Sequence, residues 1–414
     1  MSRSAVTQAS AGHLLRLIRS GQATTRGELL RATGLSRSTV GHRLDQLFRA
    51  GWVRERAAAA STGGRPSARL EFTADHALVL AAALETRHGR AAVLDLAGNV
   101  LAERTGPLSV EDGPEWVLDQ VGGWFALLLA EAGADPARVC GIGLSVPGPV
   151  DWATGQVIQP PIMPGWDRYP IRDRMRQAFA EHVWRSAGRS GPDGCAPPPP
   201  AALPVLVDND ANLMAYAEAR AGYPDCSAFV LVKVSTGIGA GVVVDGEPYR
   251  GIDGGAGDIG HIRLHDRGDA LCMCGSYGCL AAVASGKALA EQLSAAGFPT
   301  ASGSDVRALL AEGDPQAVGL AREAGRRVGE VLVTVVGVLN PGVLMIAGDL
   351  AGPPFLTGVR ELLYQRALPR STAHLEVVTS NLGERAGVLG AAAIVVEHVF
   401  TPERADARLA DLGL

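Results

Sequence analysis

The chain has 414 residues, of which 47% are apolar and 20% charged, and its formal net charge is −5. Such a length exceeds one ordinary hydrophobic core, and the balance is that of a globular protein, so two or three domains are expected. The longest apolar runs, residues 331–339 and 388–396, are too short or too interrupted to span a bilayer. The first twenty residues are polar and carry Arg3, Arg16 and Arg19, unlike a signal peptide, so the cytoplasm is the expected compartment and no membrane role is expected.

Charge is unevenly placed. Residues 1–72 hold twelve Arg and four acidic residues, a net of +8, which leaves −13 on the remainder. That split predicts a nucleic-acid-binding head on a larger acidic body. Within the head, Leu14, Leu15, Leu17 and Ile18 recur at helical spacing before Gly21. Thr25, with Glu28 three residues on, is a capping-box pattern opening a second helix that Gly34 stops. Ser36 opens a third helix in which Val40, Leu44 and Leu47 face inward and Arg37, Ser38, Thr39, His42 and Arg43 stay outside. Two short helices around a tight turn predict a helix-turn-helix, with Ser36, Arg37, Ser38, Thr39, His42 and Arg43 meeting double-stranded DNA. Residues 52–73 then read as two strands around a tip, a wing, with Arg65 suited to a minor groove or a phosphate row. A helical bundle for protein contacts is the alternative for this head, which is assigned residues 1–74.

Beyond residue 74 apolar strands alternate with amphipathic helices, the pattern of an α/β body. Strands are predicted at 77–84, 91–94, 141–145, 205–207, 229–234, 241–244 and 343–347, and helices at 115–131, 212–221, 315–339 and 387–399. Residues 186–204 are a Gly/Pro-rich insertion without a core-forming pattern.

Half of the six cysteines fall within eight residues: Cys272, Cys274 and Cys279, following His261 in the segment GDIGH. Three thiolates and an imidazole make a closed tetrahedral set of the kind that structural zinc prefers. Unrelated cysteines, a disulfide or a redox switch are the alternatives.

The segments LSRSTV, STGGRP, SVPGPVDWATGQV, PPIMPGWD, LVDNDAN, VSTGIGAGVVVDGEPYRG, GDIGH, CMCGSYGCL and LNPGVLMIAGDL together resemble the ROK family of repressors, open reading frames and sugar kinases. Over nearly its full length the chain is similar to the winged-helix repressors of that family for xylose and N-acetylglucosamine. The resemblance implies a winged helix-turn-helix followed by an actin-like, ribonuclease-H-like body of two α/β lobes, residues 75–204 and 205–384, with a ligand cleft between them. It also implies that residues 385–414 return to the first lobe, and that the protein is a homodimer or a dimer of dimers.

Two departures from the family pattern bear on function. Where kinases of the family carry a glycine-rich DxGGT-type phosphate loop, this chain has Ala83-Leu84-Glu85-Thr86-Arg87, whose bulk and added carboxylate oppose a phosphate, so no ATP binding is expected. The segment STGIGAG, residues 235–241, fits either a phosphate cradle or a tight strand-to-strand turn. Asp210 matches the position of the kinase general base, and Asn209 stands beside it. The resemblance assigns Asn209, Asp210, Asp258 and His261 to the ligand, but Asp258 stands where the family has Glu, and Ala281 replaces a second Glu. These residues predict a cytoplasmic transcriptional regulator, a repressor controlled by a sugar or derivative, with structural zinc on His261, Cys272, Cys274 and Cys279. An active sugar kinase and a DNA-bound regulator controlled by a protein partner are the alternatives.

Overall fold

Among the described residues three short helices come first, and each begins on a side-chain cap. The computed structural model describes residues 10–56, 68–184 and 203–414. In α1 (Ala11–Arg19) the Ser10 hydroxyl accepts the His13 amide. In α2 (Arg26–Thr33) the Thr25 hydroxyl takes the Glu28 amide while the Glu28 carboxylate takes the Thr25 amide, so both halves of the capping box form. Gly34 ends α2 in the left-handed region, at φ 68°, where a side chain would be strained. Ser36 caps α3 (Arg37–Arg49), which buries Val40, Leu44 and Leu47. The ribbon of β1 (Val53–Arg56) and β2 (Arg69–Phe72) is antiparallel, with Val53 opposite Phe72. Its tip, including Arg65, lies outside the described residues.

The first lobe is built on β3 (Leu78–Leu84), β4 (His88–Asp95), β5 (Val100–Pro107), β6 (Val139–Val146) and β7 (Val205–Asn209), in the order β5-β4-β3-β6-β7. The first three strands are antiparallel neighbours, and β6 and β7 run parallel to β3. Between β5 and β6 comes α4 (Pro114–Glu131), and α5 (Ile171–Phe179) packs against it. Residues 186–202 of the expected insertion are outside the described residues. From β7 the chain passes directly into α6 (Asp210–Gly222).

The second lobe repeats this plan. Its strands are β8 (Ala228–Val234), β9 (Ile238–Val244), β10 (Glu247–Pro248), β11 (Val343–Ala347) and β12 (Glu376–Thr379), in the order β10-β9-β8-β11-β12. Again an antiparallel meander is followed by two parallel strands. Helices α7 (Gly286–Ala295), α8 (Gly303–Glu312), α9 (Pro315–Leu339) and α10 (Pro353–Arg366) cover it, with α9 and α10 packed along each other. Two lobes of one topology make the actin-like, kinase-like body.

Helix α11 (Ala386–Val399) lies on β3 and β6 and against α6, and buries most of its length. Then α12 (Pro402–Asp411) crosses to the head and packs on α1, a contact absent from the sequence-based reading. There Asp406 accepts the Gly12 amide at 2.7 Å, and Arg19 pairs with Glu397 at 3.0 Å. The Phe400 ring meets Trp52 and Phe72 edge-on at 5.5 and 5.4 Å. One apolar cluster therefore runs from Leu14 and Leu44 in the head through Trp52 and Phe400 to Val79 and Leu213 in the body. No single helix among the described residues is long and apolar enough to cross a membrane.

Candidate functional site

A cleft of about 1190 Å³ opens between the lobes. Its walls are the turn after β3, the start of α6, the β8–β9 turn and the GDIGH loop. Of the STGIGAG segment, residues 235–237 form the β8–β9 turn and the rest begins β9, so the strand expected from residue 241 starts at Ile238. Thr86, on the turn after β3, donates across the cleft to the Thr236 hydroxyl at 3.2 Å, tying one lobe's turn to the other's.

Asp210 heads α6 on the cleft floor, but it is not free. The Lys233 ammonium bonds its carboxylate at 2.6 Å, and both side chains are 13% exposed. Burial alone would lower the Lys233 pKa; Asp210 and the nearby carboxylates of Glu85 and Asp349 hold it above the ordinary lysine range. Asn209 is similarly engaged: its side-chain oxygen caps α6 on the Ala211 and Asn212 amides, and its nitrogen donates to Gly148 at 3.1 Å. Behind it, buried Asp208 pairs with Arg250 at 2.6 Å, and Arg250 stacks on Trp152 at 3.9 Å. Asp349 lies beside Ser235; burial pushes its carboxyl up, while Arg307 pulls the other way.

The sequence-based reading included neither the Lys233 contact nor Asp208. A signal was present in composition: this Arg-rich chain has two lysines, Lys233 and Lys287, and both line the cleft.

The GDIGH loop closes the cleft on the second lobe. Gly257 and Gly260 let it lie edge-on against β9, because a Cβ on either would strike the carbonyl of Ala240 or of Ile238. The Gly257 carbonyl accepts the Ala240 amide at 2.9 Å. Asp258 faces the cleft, accessible but ringed by protein that pushes its carboxyl pKa up, with His261 opposing. Asp258, His261, Asn209 and Asp210 all line the same cavity.

His261 also belongs to the cluster expected from the sequence. One donor atom from each of His261, Cys272, Cys274 and Cys279 lies within 4.8 Å of the others. Cys274 Sγ is 3.8 Å from Cys279 Sγ, and Cys272 Sγ is 3.8 Å from His261 Nδ1. A tetrahedron with metal–sulfur bonds of about 2.3 Å has edges of roughly 3.8 Å, so the donor set fits a metal ion. Burial opposes ionisation at Cys274, but the Ser276 amide and the neighbouring thiols pull its pKa down; burial and the same crowding push Cys279 up. A cation among them removes that conflict.

On the head, Arg37, Ser38 and His42 are exposed along α3. Ser36 bonds the hydroxyls of Ser38 and Thr39 at 2.9 and 2.8 Å, so these three groups form a compact cap. Arg43 departs from its expected free position: it is half-buried and donates to Gln46 at 3.1 Å, because Gln46, one turn on, is itself buried.

A family model described as "ROK family" matches residues 200–398. The xylose repressor of Caldicellulosiruptor bescii is 25% identical over 409 residues, covering 95% of this chain and 96% of the relative. The crystal structure of a ROK family transcriptional regulator, a homolog of the E. coli MLC protein, aligns with a TM-score of 0.74 at 26% identity, covering 98% of this chain and all of that one. A glucokinase from Streptomyces griseus, in complex with glucose and AMPPNP, aligns at 0.61 and 26% identity over 77% of this chain and 98% of its own.

Proposed function

The chain belongs to the ROK family, and from that premise we propose that it is a transcriptional repressor of sugar-related metabolism whose hold on operator DNA is set by a small ligand in the interlobe cleft. The observation that carries this reading is the extent of the likeness. Similarity to a repressor and to a transcriptional regulator runs through 95% and 98% of the chain, whereas the glucokinase covers 77% of it.

The head acts as a winged helix-turn-helix, with α3 entering the major groove of a double-stranded operator and the β1–β2 ribbon as the wing. Arg37, Ser38 and His42 are the exposed readers, Ser36 and Thr39 shape the start of the recognition helix, and Arg43 and Arg65 complete the contact set. A homodimer presents two such heads to a pseudo-palindromic site, and closure of the cleft changes their spacing. Arg37→Ala is expected to weaken operator binding by about 1–3 kcal/mol if it reads a base, and to weaken operator and random DNA equally if it meets phosphate; fluorescence anisotropy across salt separates the two.

Zinc on His261, Cys272, Cys274 and Cys279 holds the loop that carries Asp258, a structural role next to the ligand. Asn209, Asp210, Asp258 and His261 form the ligand wall, with Asn209 and Asp210 acting through the network they already share with Gly148 and Lys233. Catalysis is not part of this reading. Lys233 occupies the carboxylate of the residue at the kinase base position, and Glu85 and Asp349 set negative charge near the turn where phosphates would lie. ATP is accordingly expected to leave the melting temperature unchanged; a rise in melting temperature together with sugar-dependent ADP release would establish the kinase alternative instead. The compartment is the cytoplasm.

The deciding experiment is anisotropy on the DNA upstream of the protein's own gene against random DNA, with and without a sugar panel. Preferential binding altered by a sugar supports the proposal. Preferential binding that no sugar alters points to a protein partner, and equal binding to both DNAs removes the support for control of its own promoter.

A further inference from the structure

Among the described residues two stretches carry the chain between the lobes: α6, which leads from β7 to β8, and residues 380–385, which lead from β12 back to α11. The first of these is gripped without slack. Gly241 of β9 and Gly390 of α11 lie so near the Ala211 and Leu213 carbonyls of α6 that a Cβ on either would strike them, and backbone packed this closely passes a displacement on rather than absorbing it. Asp210, the first residue of α6, is bonded by Lys233 of β8, so the helix meets both the cleft and the second lobe. Roughly 12 Å further along its axis comes Glu218. That side chain is 1% exposed, and its Oε1 accepts the Ser380 hydroxyl and also the Asn381 and Leu382 amides at 3.0 and 2.9 Å. Such bonds are charge-assisted, and burial spares them competition from water. One buried carboxylate thus ties the first crossing to the second. Glu384 and Arg385, in the same loop, are exposed, so their pairs with Arg90, Arg307 and Glu103 hold it more weakly. From this loop α11 runs to the head, where Glu397 accepts Arg19 of α1 at 3.0 Å, and Arg220 in the last turn of α6 lies 3.8 Å from the same carboxylate.

We propose that Glu218 is the positioning residue through which movement of the lobes reaches the head: it pins the loop before α11 to α6, so that α11 and the head follow α6 when the cleft changes. The inference rests on the ligand-sensing role argued above and names the residue that carries the signal. Without the pin, α6 could shift with the second lobe while residues 380–385 stayed where their exposed pairs hold them, and the head would feel little.

Hydrogen exchange of the full chain, read by mass spectrometry over residues 11–19, tests this in a cycle of Asp210→Asn and Glu218→Gln. Asp210→Asn breaks the ion pair at the start of α6 and is expected to change exchange in the head by about fivefold or more. In the Glu218→Gln background the same substitution should change it by less than about twofold. The two positions are too far apart on the helix to couple directly, so a merely structural Glu218 would lower protection by itself and leave the Asp210→Asn factor the same in both backgrounds. That result overturns the proposal, and so does a head that Asp210→Asn leaves unchanged. Should Glu218→Gln fail to fold, Ser380→Ala, at a half-buried position, removes one of the three donors and should cut the Asp210→Asn effect by about twofold or more; an undiminished effect again overturns the proposal. The cycle uses no DNA and no sugar. Absence of operator preference in the anisotropy assay would therefore sink the repressor reading and leave the pin standing, and equal factors in the cycle with operator preference intact would do the reverse.

Discussion

Phe400→Ala is expected to lower stability by about 3–5 kcal/mol and to uncouple the head from the body. The ring is 1% exposed and fills the space between Trp52 and Phe72, so truncation leaves a cavity within the apolar cluster that head and body share. Arg19 and Arg408, each within 5.5 Å of the Phe400 ring centroid, lose a stacking partner as well. Calorimetry should show a single transition in the parent splitting into two in the variant. Operator DNA should still be bound, because α3 and its caps are untouched, but a ligand in the cleft should no longer change that binding. Phe400→Leu keeps much of the apolar contact and should retain the single transition. An Ala variant that melts as one unit within about 1 kcal/mol of the parent would show that the joint does not couple the two parts.

The second large effect is at the His/Cys cluster proposed to hold zinc. Cys274→Ser should reduce bound zinc from about one per chain to nearly none and lower the melting temperature sharply, since metal affinity is also folding free energy, about 10–16 kcal/mol in the smallest zinc modules. Cys274 is the suitable position because its side chain is exposed, so the substitution removes a ligand without opening the core. With the ion gone, the segment from Ile262 to Leu280 is held by few backbone bonds, and limited proteolysis should cut there first. The ligand effect on DNA binding should vanish too, because Asp258 and His261 sit on the same loop. Metal analysis together with the anisotropy assay checks both parts; an unchanged ligand response in a zinc-free variant would separate the metal from signalling.

Local signals explain what could be read from the sequence. The caps at Thr25 and Ser36, the stop at Gly34 and the apolar stretches that became β3, β8, β11, α9 and α11 are short-range patterns, each contained within a few turns or one strand. By contrast β5 and β12 were not anticipated, since VLAERTGP and EVVT are half-exposed edge segments whose pattern is diluted by charge. The cysteine cluster was legible because its ligands are close in sequence. The cleft was only half legible: Asp210, Asp258 and Asn209 carry family motifs, but that Lys233 neutralises Asp210 and that Thr86 reaches Thr236 depends on residues 23 and 150 positions apart. Such pairings are set by the packing of two lobes, and no window of sequence contains them. The joint at Phe400 lies further still from its partners, and the resemblance that implies the return of residues 385–414 to the first lobe carries no signal for it.

That separation has a consequence for how the molecule is made. Trp52 and Phe72 leave the ribosome more than three hundred residues before Phe400 and Leu409, which complete their apolar surroundings. At synthesis rates of about 5–20 residues per second, the nascent head waits roughly 20–60 s for its cover. During that interval its helices can form on their own caps, but the face that α12 will occupy stays open to chaperones or to another nascent chain. Translation that stops short of Phe400 would release a head already shaped to meet DNA and disconnected from the cleft that is meant to govern it.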